Sequence, residues 1–176
     1  MSEWILDVWT DASLGNLNKG VHSTGAQLLM MRNKNGDCAP ISWQSHKLER
    51  ICDSSLEAEV VSLLEGLKEA VYLRELVEEI FGLKDCSIPV IGIVDNQGTR
   101  DAIHSTAPSE DRRLRRDFAK IKQMLNQKQV TGITWVPGKR QLADPMTKKE
   151  APAWELMEVL QTGKRDMKVG LKDSKK

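Results

Sequence analysis

The residues of this chain with the clearest chemical potential are carboxylates that end apolar, strand-forming runs. Val90 to Asn96 reads VIGIVDN, in which Val90, Ile91, Ile93 and Val94 favour a strand buried on both faces and Asp95 stands at its C-terminal tip. Ligands of open α/β sheets bind just beyond the carboxyl ends of strands, so an acid there is placed for chemistry, beside its simpler use as a helix N-cap. Trp4 to Thr10, WILDVWT, is a second β-prone run, and it ends at Asp11 before a loop. Asp7 lies inside that run, where an acid faces solvent or a partner, so Asp11 is the candidate. Two further acids enter the account: Glu59 early in a long helix, and Asp144 in Leu142-Ala143-Asp144-Pro145, close to where the final helix should begin. Whether these four make a catalytic site depends on the elements that carry them.

After Asp11, Asn16 to Gly20 reads as a turn. Gly25 to Arg32 is strand-like, Asn35-Gly36 is a hairpin signal, and Ile41 to Ser45 is a short strand, so the opening is a three-stranded antiparallel meander. Ser54-Ser55 with Glu57 and Glu59 marks a helix start, and that helix runs to about Phe81, stopped by Gly82. Leu56, Val60, Leu63, Leu67, Val71 and Ile80 form its expected sheet-facing stripe. Glu57 and Glu59 flank that stripe on opposite edges. Ser62 and Gly66 favour Glu59, because small side chains on its own side let the helix approach a sheet closely.

Beyond the central strand, Asn96 to His104 is a short helix and Glu110 to Asn126 a second amphipathic one. The latter carries Arg112, Arg113, Arg115, Arg116, Lys120 and Lys122, a local basic excess suited to phosphate contact. Val130 to Val136 is the last strand, Pro137-Gly138 turns the chain, and Trp154 to Leu160 carry a terminal helix. The predicted order is β-β-β-α-β-α-α-β-α.

A chain of 176 residues suits one domain, able to bury about 70% of its unfolded surface. We assign it to residues 1–162, followed by a Lys-rich tail from Gly163 to Lys176 expected to be disordered. The fold is expected to begin almost at once, at Trp4, so no preceding module is expected within these residues. Lys and Arg total 26 against 25 Asp and Glu, so any nucleic-acid footprint must be local. The cysteines, Cys38, Cys52 and Cys86, are odd in number and lack metal spacing, as expected of reduced thiols in a cytoplasmic or nuclear setting. No apolar run approaches membrane-spanning length and no signal-peptide pattern opens the chain. A monomeric, intracellular protein is expected.

Set out in order, the motifs are Thr10-Asp11-Ala12-Ser13, His22-Ser23-Thr24-Gly25, Ile41-Ser42-Trp43-Gln44-Ser45, Ser54-Ser55-Leu56-Glu57-Ala58-Glu59, Val94-Asp95-Asn96-Gln97, Trp135-Val136-Pro137-Gly138 and Gln141-Leu142-Ala143-Asp144-Pro145-Met146-Thr147-Lys148. In that order, from Trp4 to Lys148, the chain resembles the ribonuclease H domain of retroelement polyproteins, and looks most like the Ty1/copia branch. The resemblance implies an α/β fold, a five-stranded mixed sheet of three antiparallel then two parallel strands flanked by helices. It also implies that Asp11, Glu59, Asp95 and Asp144 gather at the centre and bind two divalent cations, normally Mg²⁺ with Mn²⁺ as substitute. The implied reaction cuts the RNA strand of an RNA–DNA hybrid and leaves a 3′-hydroxyl and a 5′-phosphate.

Two ions about 4 Å apart clamp the attacking water and the leaving oxygen of an in-line displacement. Hard carboxylate oxygens suit magnesium. Ser13, Asn16, Asn96 and Gln97 lie next to the acids and are the expected contacts to a hybrid read by shape. Arg112, Arg115 and Arg116 are expected to hold phosphates, with a reverse transcriptase module as the expected partner. The chain departs from the family in two places. The loop Gly138-Lys139-Arg140-Gln141 lacks the histidine that many ribonucleases H carry there, leaving Lys139 and Arg140 as the loop's cations, and Glu110-Asp111-Arg112-Arg113 replaces a Lys-His-Ile-Asp stretch. The rival classes are a DNA-cutting nuclease of the same fold and a non-catalytic tether, whose signature would be loss of acids.

Overall fold

The structure, a computed structural model, describes residues 4–105 and 109–165. Its elements are β1 (Trp4–Leu17), β2 (His22–Asn33), β3 (Cys38–Lys47), α1 (Ser55–Ile80), β4 (Val90–Val94), α2 (Gln97–His104), α3 (Arg112–Asn126), β5 (Gly132–Trp135), α4 (Asp144–Thr147) and α5 (Trp154–Thr162). They build a mixed sheet in the order β3-β2-β1-β4-β5, with β1–β2 and β2–β3 antiparallel and β1–β4 and β4–β5 parallel.

The meander forms where its turn chemistry allows. Gly36 adopts φ 87, a conformation costly for residues with a Cβ, and the Asn33 side chain accepts hydrogen bonds from the Asn35 and Asp37 amides. The first strand is much longer than its apolar run: β1 continues through Asp11 to Leu17, so Asn16 lies in a strand and not in a turn. Residues 11–13 have little β propensity, but pairing with Thr24 to Ala26 carries them along.

Apolar residues on the two faces of the sheet feed separate cores. Leu6, Val8 and Leu29 pack with Val60, Leu63 and Leu67 of α1 and with Leu114, Phe118 and Ile121 of α3. Trp9, Leu28, Met30 and Ile93 pack on the other face with Val136, Leu142 and Val159. Ile80 is 68% exposed and leaves the predicted stripe, because nine residues after Val71 it has turned about 180° at 100° per residue. Further along α1 the buried positions are Arg74 and Glu78. Glu78 accepts hydrogen bonds from the Cys86 and Ile88 amides and so shapes the approach to β4.

Three boundaries differ from expectation. Asp111 is the N-cap of α3, accepting from the Arg113 and Leu114 amides, so that helix starts after Glu110. Asp144 opens a separate short helix, α4, and not the terminal helix, which starts at Trp154 as expected. Gly163 to Arg165 extend the fold beyond residue 162: the Arg165 amide donates to the Gly36 carbonyl, and its guanidinium lies 4.3 Å over the Trp9 ring. The rest of the expected tail, 166–176, lies outside the described residues.

The close seating of α1 on β1 depends on Gly66. A Cβ there would meet Thr10 Cγ2 at 2.8 Å and Val8 Cγ1 at 3.2 Å. Ala normally favours a helix over Gly by about 1 kcal/mol, but overpacking against these branched side chains costs about 1–3 kcal/mol. Gly66→Ala should therefore lower stability, with a fall in Tm of a few degrees in thermal melts, about 2–4 °C per kcal/mol at this size.

Candidate active site

The site forms where β1 and β4 run out of shared register. Their parallel pairing matches Leu6 with Val90 and ends at Trp9 with Ile93, so two residues further on Asp11 comes beside Asp95. The first acid is thus inside a long strand, not at a strand tip, and the second stands just past the end of its strand. The Asp95 carbonyl is fixed by the Trp135 indole, which donates to it at 2.8 Å. The following N-cap role falls to Asn96, whose side chain accepts from the Thr99 amide.

Glu59 arrives from the helix side. Ser62 Oγ lies 2.9 Å from the Asp11 carbonyl and 3.2 Å from that of Ala26, which pins α1 at the depth that Gly66 permits. One carboxylate oxygen each of Asp11, Glu59 and Asp95 then lie within 4.8 Å of one another. Glu57, the rival on the other edge, accepts from the Asp53 amide at 2.8 Å and lies 3.5 Å from Arg50, a helix-start role.

Asp144 joins through neighbours on α4. Lys148 Nζ contacts Asp144 Oδ1 and lies 3.4 Å from Asp11 Oδ2, while the Thr147 hydroxyl donates to Asp11 Oδ2. The helix is held in place by Asn16 Nδ2 donating to the Thr147 carbonyl and Ser45 Oγ donating to the Met146 carbonyl. Gln141, buried, donates its side-chain amide to the Thr10 carbonyl at 3.0 Å and so ties the approach to α4 onto β1 just before Asp11.

Burial dominates the electrostatics. It raises the pKa of Glu59 to about 9, helped by the charges of Asp11 and Asp95. Asp11 and Asp95 are raised for the same first reason, and Asp11 then raises Asp95 further. Thr147 and Lys148 pull Asp11 the other way. Asp11 Oδ1 and Glu59 Oε2 are buried and have no hydrogen-bond partner. Buried carboxylate oxygens that repel one another and lack donors fit a hard divalent cation. The donor set therefore matches the ion that the resemblance implies.

The expected substrate residues divide into three groups. Ser13 and Asn16 line a groove of about 630 Å³ with Thr24, Ser45, Lys148 and Lys149; the four acids do not line it, and it meets the site through Thr147 and Lys148, which contact Asp11. Asn16 is also structural, since its Oδ1 accepts from Thr24. Asn96 and Gln97 open α2 beyond Asp95, with Gln97 exposed. Lys139 and Arg140 follow Gly138, where a Cβ would stand 3.3 Å from Asp95 Oδ2; Lys139 is exposed and Arg140 pairs with Glu155 at 3.2 Å. Arg112, Arg115 and Arg116 stand exposed on α3, outside the carboxylate cluster. Gln141, Thr147 and Lys148 are site residues that sequence reasoning did not single out. The signal was present: Asp144, Thr147 and Lys148 follow i, i+3, i+4 spacing and so share a helix face.

No protein-family profile matches the chain, and no curated relative does. Solved structures do. LC11-RNase H1, isolated from compost by a metagenomic approach, superposes with a TM-score of 0.58 at 15% identity, over 86% of this chain and 98% of its own. This chain has the ribonuclease H fold. The N-terminal RNase H domain of rv2228c from Mycobacterium tuberculosis is similar over 88% of this chain and 97% of its own, with a TM-score of 0.56 at 13% identity. Prototype foamy virus protease-reverse transcriptase aligns with 94% of this chain through 21% of its own length, with a TM-score of 0.54 at 12% identity.

The raised carboxylates make a prediction about pH. A group with a folded pKa above its unfolded value contributes stability that is fully present below the unfolded pKa and lost as pH rises through the folded one. For Glu59 that window runs from its ordinary 4.5 to about 9. Metal-free protein in EDTA should lose Tm steadily across it, Mg²⁺ should flatten the slope, and Glu59→Gln should remove most of it. Thermal melts from pH 5 to 9 give the answer, and a flat metal-free profile would contradict the site's electrostatics.

Proposed function

We propose that this chain hydrolyses the RNA strand of RNA–DNA hybrids endonucleolytically, leaving 3′-hydroxyl and 5′-phosphate ends, as a ribonuclease H. The observation that carries this reading is the convergence of Asp11, Glu59 and Asp95, with unpartnered buried oxygens on the first two, where the pairing of the central strands β1 and β4 ends in a ribonuclease H fold. Support for the substrate comes from LC11-RNase H1, a neighbour at 16% identity and TM-score 0.55 whose structure was solved in complex with an RNA/DNA hybrid.

In this reading Asp11, Glu59, Asp95 and Asp144 hold two divalent ions, Mg²⁺ or in its place Mn²⁺. When bound, these cations supply an activated water and neutralise charge developing on the leaving 3′-oxygen. The chain's own contribution is placement. Burial raises the carboxylate pKa values, so the metal-free site keeps protons that loading must release. Ser13 and Asn16 in the groove, with Asn96 and Gln97 beyond Asp95, present short polar groups to the 2′-hydroxyls and sugars of a wide minor groove. Arg112, Arg115 and Arg116 hold backbone phosphates at a distance from the cut, and Lys139, exposed next to Gly138, adds a further phosphate contact with Arg140, whose guanidinium is held by Glu155.

A retroelement setting is supported by the motif order and by the foamy virus protease-reverse transcriptase, where a similar domain is part of a longer chain. We assign the chain to the Ty1/copia type on its motifs, with a reverse transcriptase module as its partner.

An end-labelled RNA–DNA hybrid in Mg²⁺ or Mn²⁺, beside duplex DNA, duplex RNA and single strands, tests the activity. Only the hybrid's RNA strand should be cut, and Asp95→Asn should keep the fold while lowering the rate at least about 100-fold, the scale of losing one preorganised electrostatic contact. Equal cutting of duplex DNA would assign a different nuclease, and hybrid binding without cutting would assign a tether. Hybrid affinity should fall steeply with salt, and Arg116→Ala should weaken binding across all sequences while reducing the log–log salt slope by about 1.

A further inference from the structure

Lys148 has no part in the reading above, yet its ammonium lies among the acids. Its Nζ contacts Asp144 Oδ1 and stands 3.4 Å from Asp11 Oδ2. Asp11, Asp144 and Asp95 all act on it electrostatically. Its partners are sequestered, with side chains 0% and 20% exposed, whereas the Lys148 side chain is 43% exposed and borders the groove. The backbone beneath it is fixed: the Lys148 amide donates to the Asp144 carbonyl at 3.1 Å and closes the single turn of α4. A fixed Cα with a partly exposed, flexible stem lets the ammonium leave without moving the helix.

An ammonium and a divalent cation cannot share the same carboxylate oxygens. Any ion that takes both Asp144 and Asp11 as ligands must first displace Nζ. We infer that Lys148 is a resident counter-ion: it neutralises the metal-free site, competes with the divalent metal for Asp11 and Asp144, and swings out into the groove when metal enters. This inference rests on the metal-site reading above. It makes Lys148 a residue that sets how much free metal the enzyme needs, acting through the ligands and not on the substrate. A purely structural lysine would behave in the opposite way, since its loss would loosen the ligands and weaken metal binding.

The test is calorimetric titration of the metal-stripped protein with Mg²⁺, paired with thermal melts in EDTA, for the native protein, Lys148→Gln, Lys148→Met, Lys148→Arg and Asp95→Asn. Lys148→Gln should bind Mg²⁺ at least about fivefold more tightly, the low end of coupling between linked ligands, and should melt lower in EDTA. Lys148→Met, which keeps the stem without the charge, should behave as Lys148→Gln does, and Lys148→Arg should stay near native affinity. Unchanged or weaker binding in both neutral variants, with binding still impaired in Asp95→Asn, would overturn the competition and leave the metal site standing. Absence of Mg²⁺ binding by the native protein, or equal binding by Asp95→Asn, would overturn the metal site and this inference with it.

Discussion

Mutual repulsion among buried carboxylates is the constraint on which this structure turns. Asp11 is fully buried, Glu59 nearly so, and Asp95 half-buried, all within a few ångströms of one another. Such a group disfavours the folded state in proportion to its charge, so the surroundings must hold it together by means other than its own affinity. The means are ordinary packing and backbone hydrogen bonds. Gly66 and Ser62 fix the depth of α1, Trp135 fixes the Asp95 carbonyl, and Gln141 with Asn16 fixes α4. None of these contacts involves a carboxylate oxygen of the three clustered acids. Thr147 and Lys148 engage Asp11 Oδ2, but Asp11 Oδ1 and Glu59 Oε2 are left without donors, at a standing electrostatic penalty that a cation would relieve.

The two-sided sheet explains how so small a domain can carry that penalty. One core lies between the sheet and α1 with α3, the other between the sheet and the segment from Val136 to α5. Trp9, one of the largest buried side chains, belongs to the second core two residues before Asp11, and Arg165 covers its ring. Asp7, on the same strand, is buried against Arg32, an ion pair that holds β1 to β2 beneath the site. The strand carrying the first acid is thus packed from both sides and cross-linked to its neighbour before it reaches the site, which limits how far repulsion can displace Asp11.

Much of this was legible in the sequence, for identifiable reasons. The apolar runs at Val90–Val94 and Trp4–Thr10 are strong because strands buried on both faces must be continuously hydrophobic. The choice of Glu59 over Glu57 rested on Ser62 and Gly66, and both residues make the close approach expected of them. What was not legible depended on partners far away in the chain. Residues 11–17 look like a loop, and they become strand only because β2 supplies the matching edge. The stripe extended to Ile80 failed because position 80 has turned away from the face of Val71, and the last turns of α1 bury Arg74 and Glu78 instead. The helix face that Thr147 and Lys148 share with Asp144 does not by itself give them a role, since nothing local says that a one-turn helix is carried against β1.

Charge distribution joins the fold to its proposed work. The chain carries almost no net charge, yet cations and anions are segregated within it. Asp11, Glu59 and the half-buried Asp95 cluster where the pairing of β1 and β4 ends, whereas Arg112, Arg115 and Arg116 stand exposed on α3. At physiological ionic strength fields are screened over about 8 Å, so a polyanionic backbone meeting α3 senses the arginines and not the whole-molecule balance. A basic surface alone would bind any nucleic acid without acting on it, and an acidic cluster alone would repel every phosphate. Kept apart on one domain, the first can hold a duplex by its backbone while the second, loaded with cations, presents a locally positive centre to a single phosphate. That separation is why a protein of neutral composition can be read as a nuclease, and why its overall charge carries no information about its substrate.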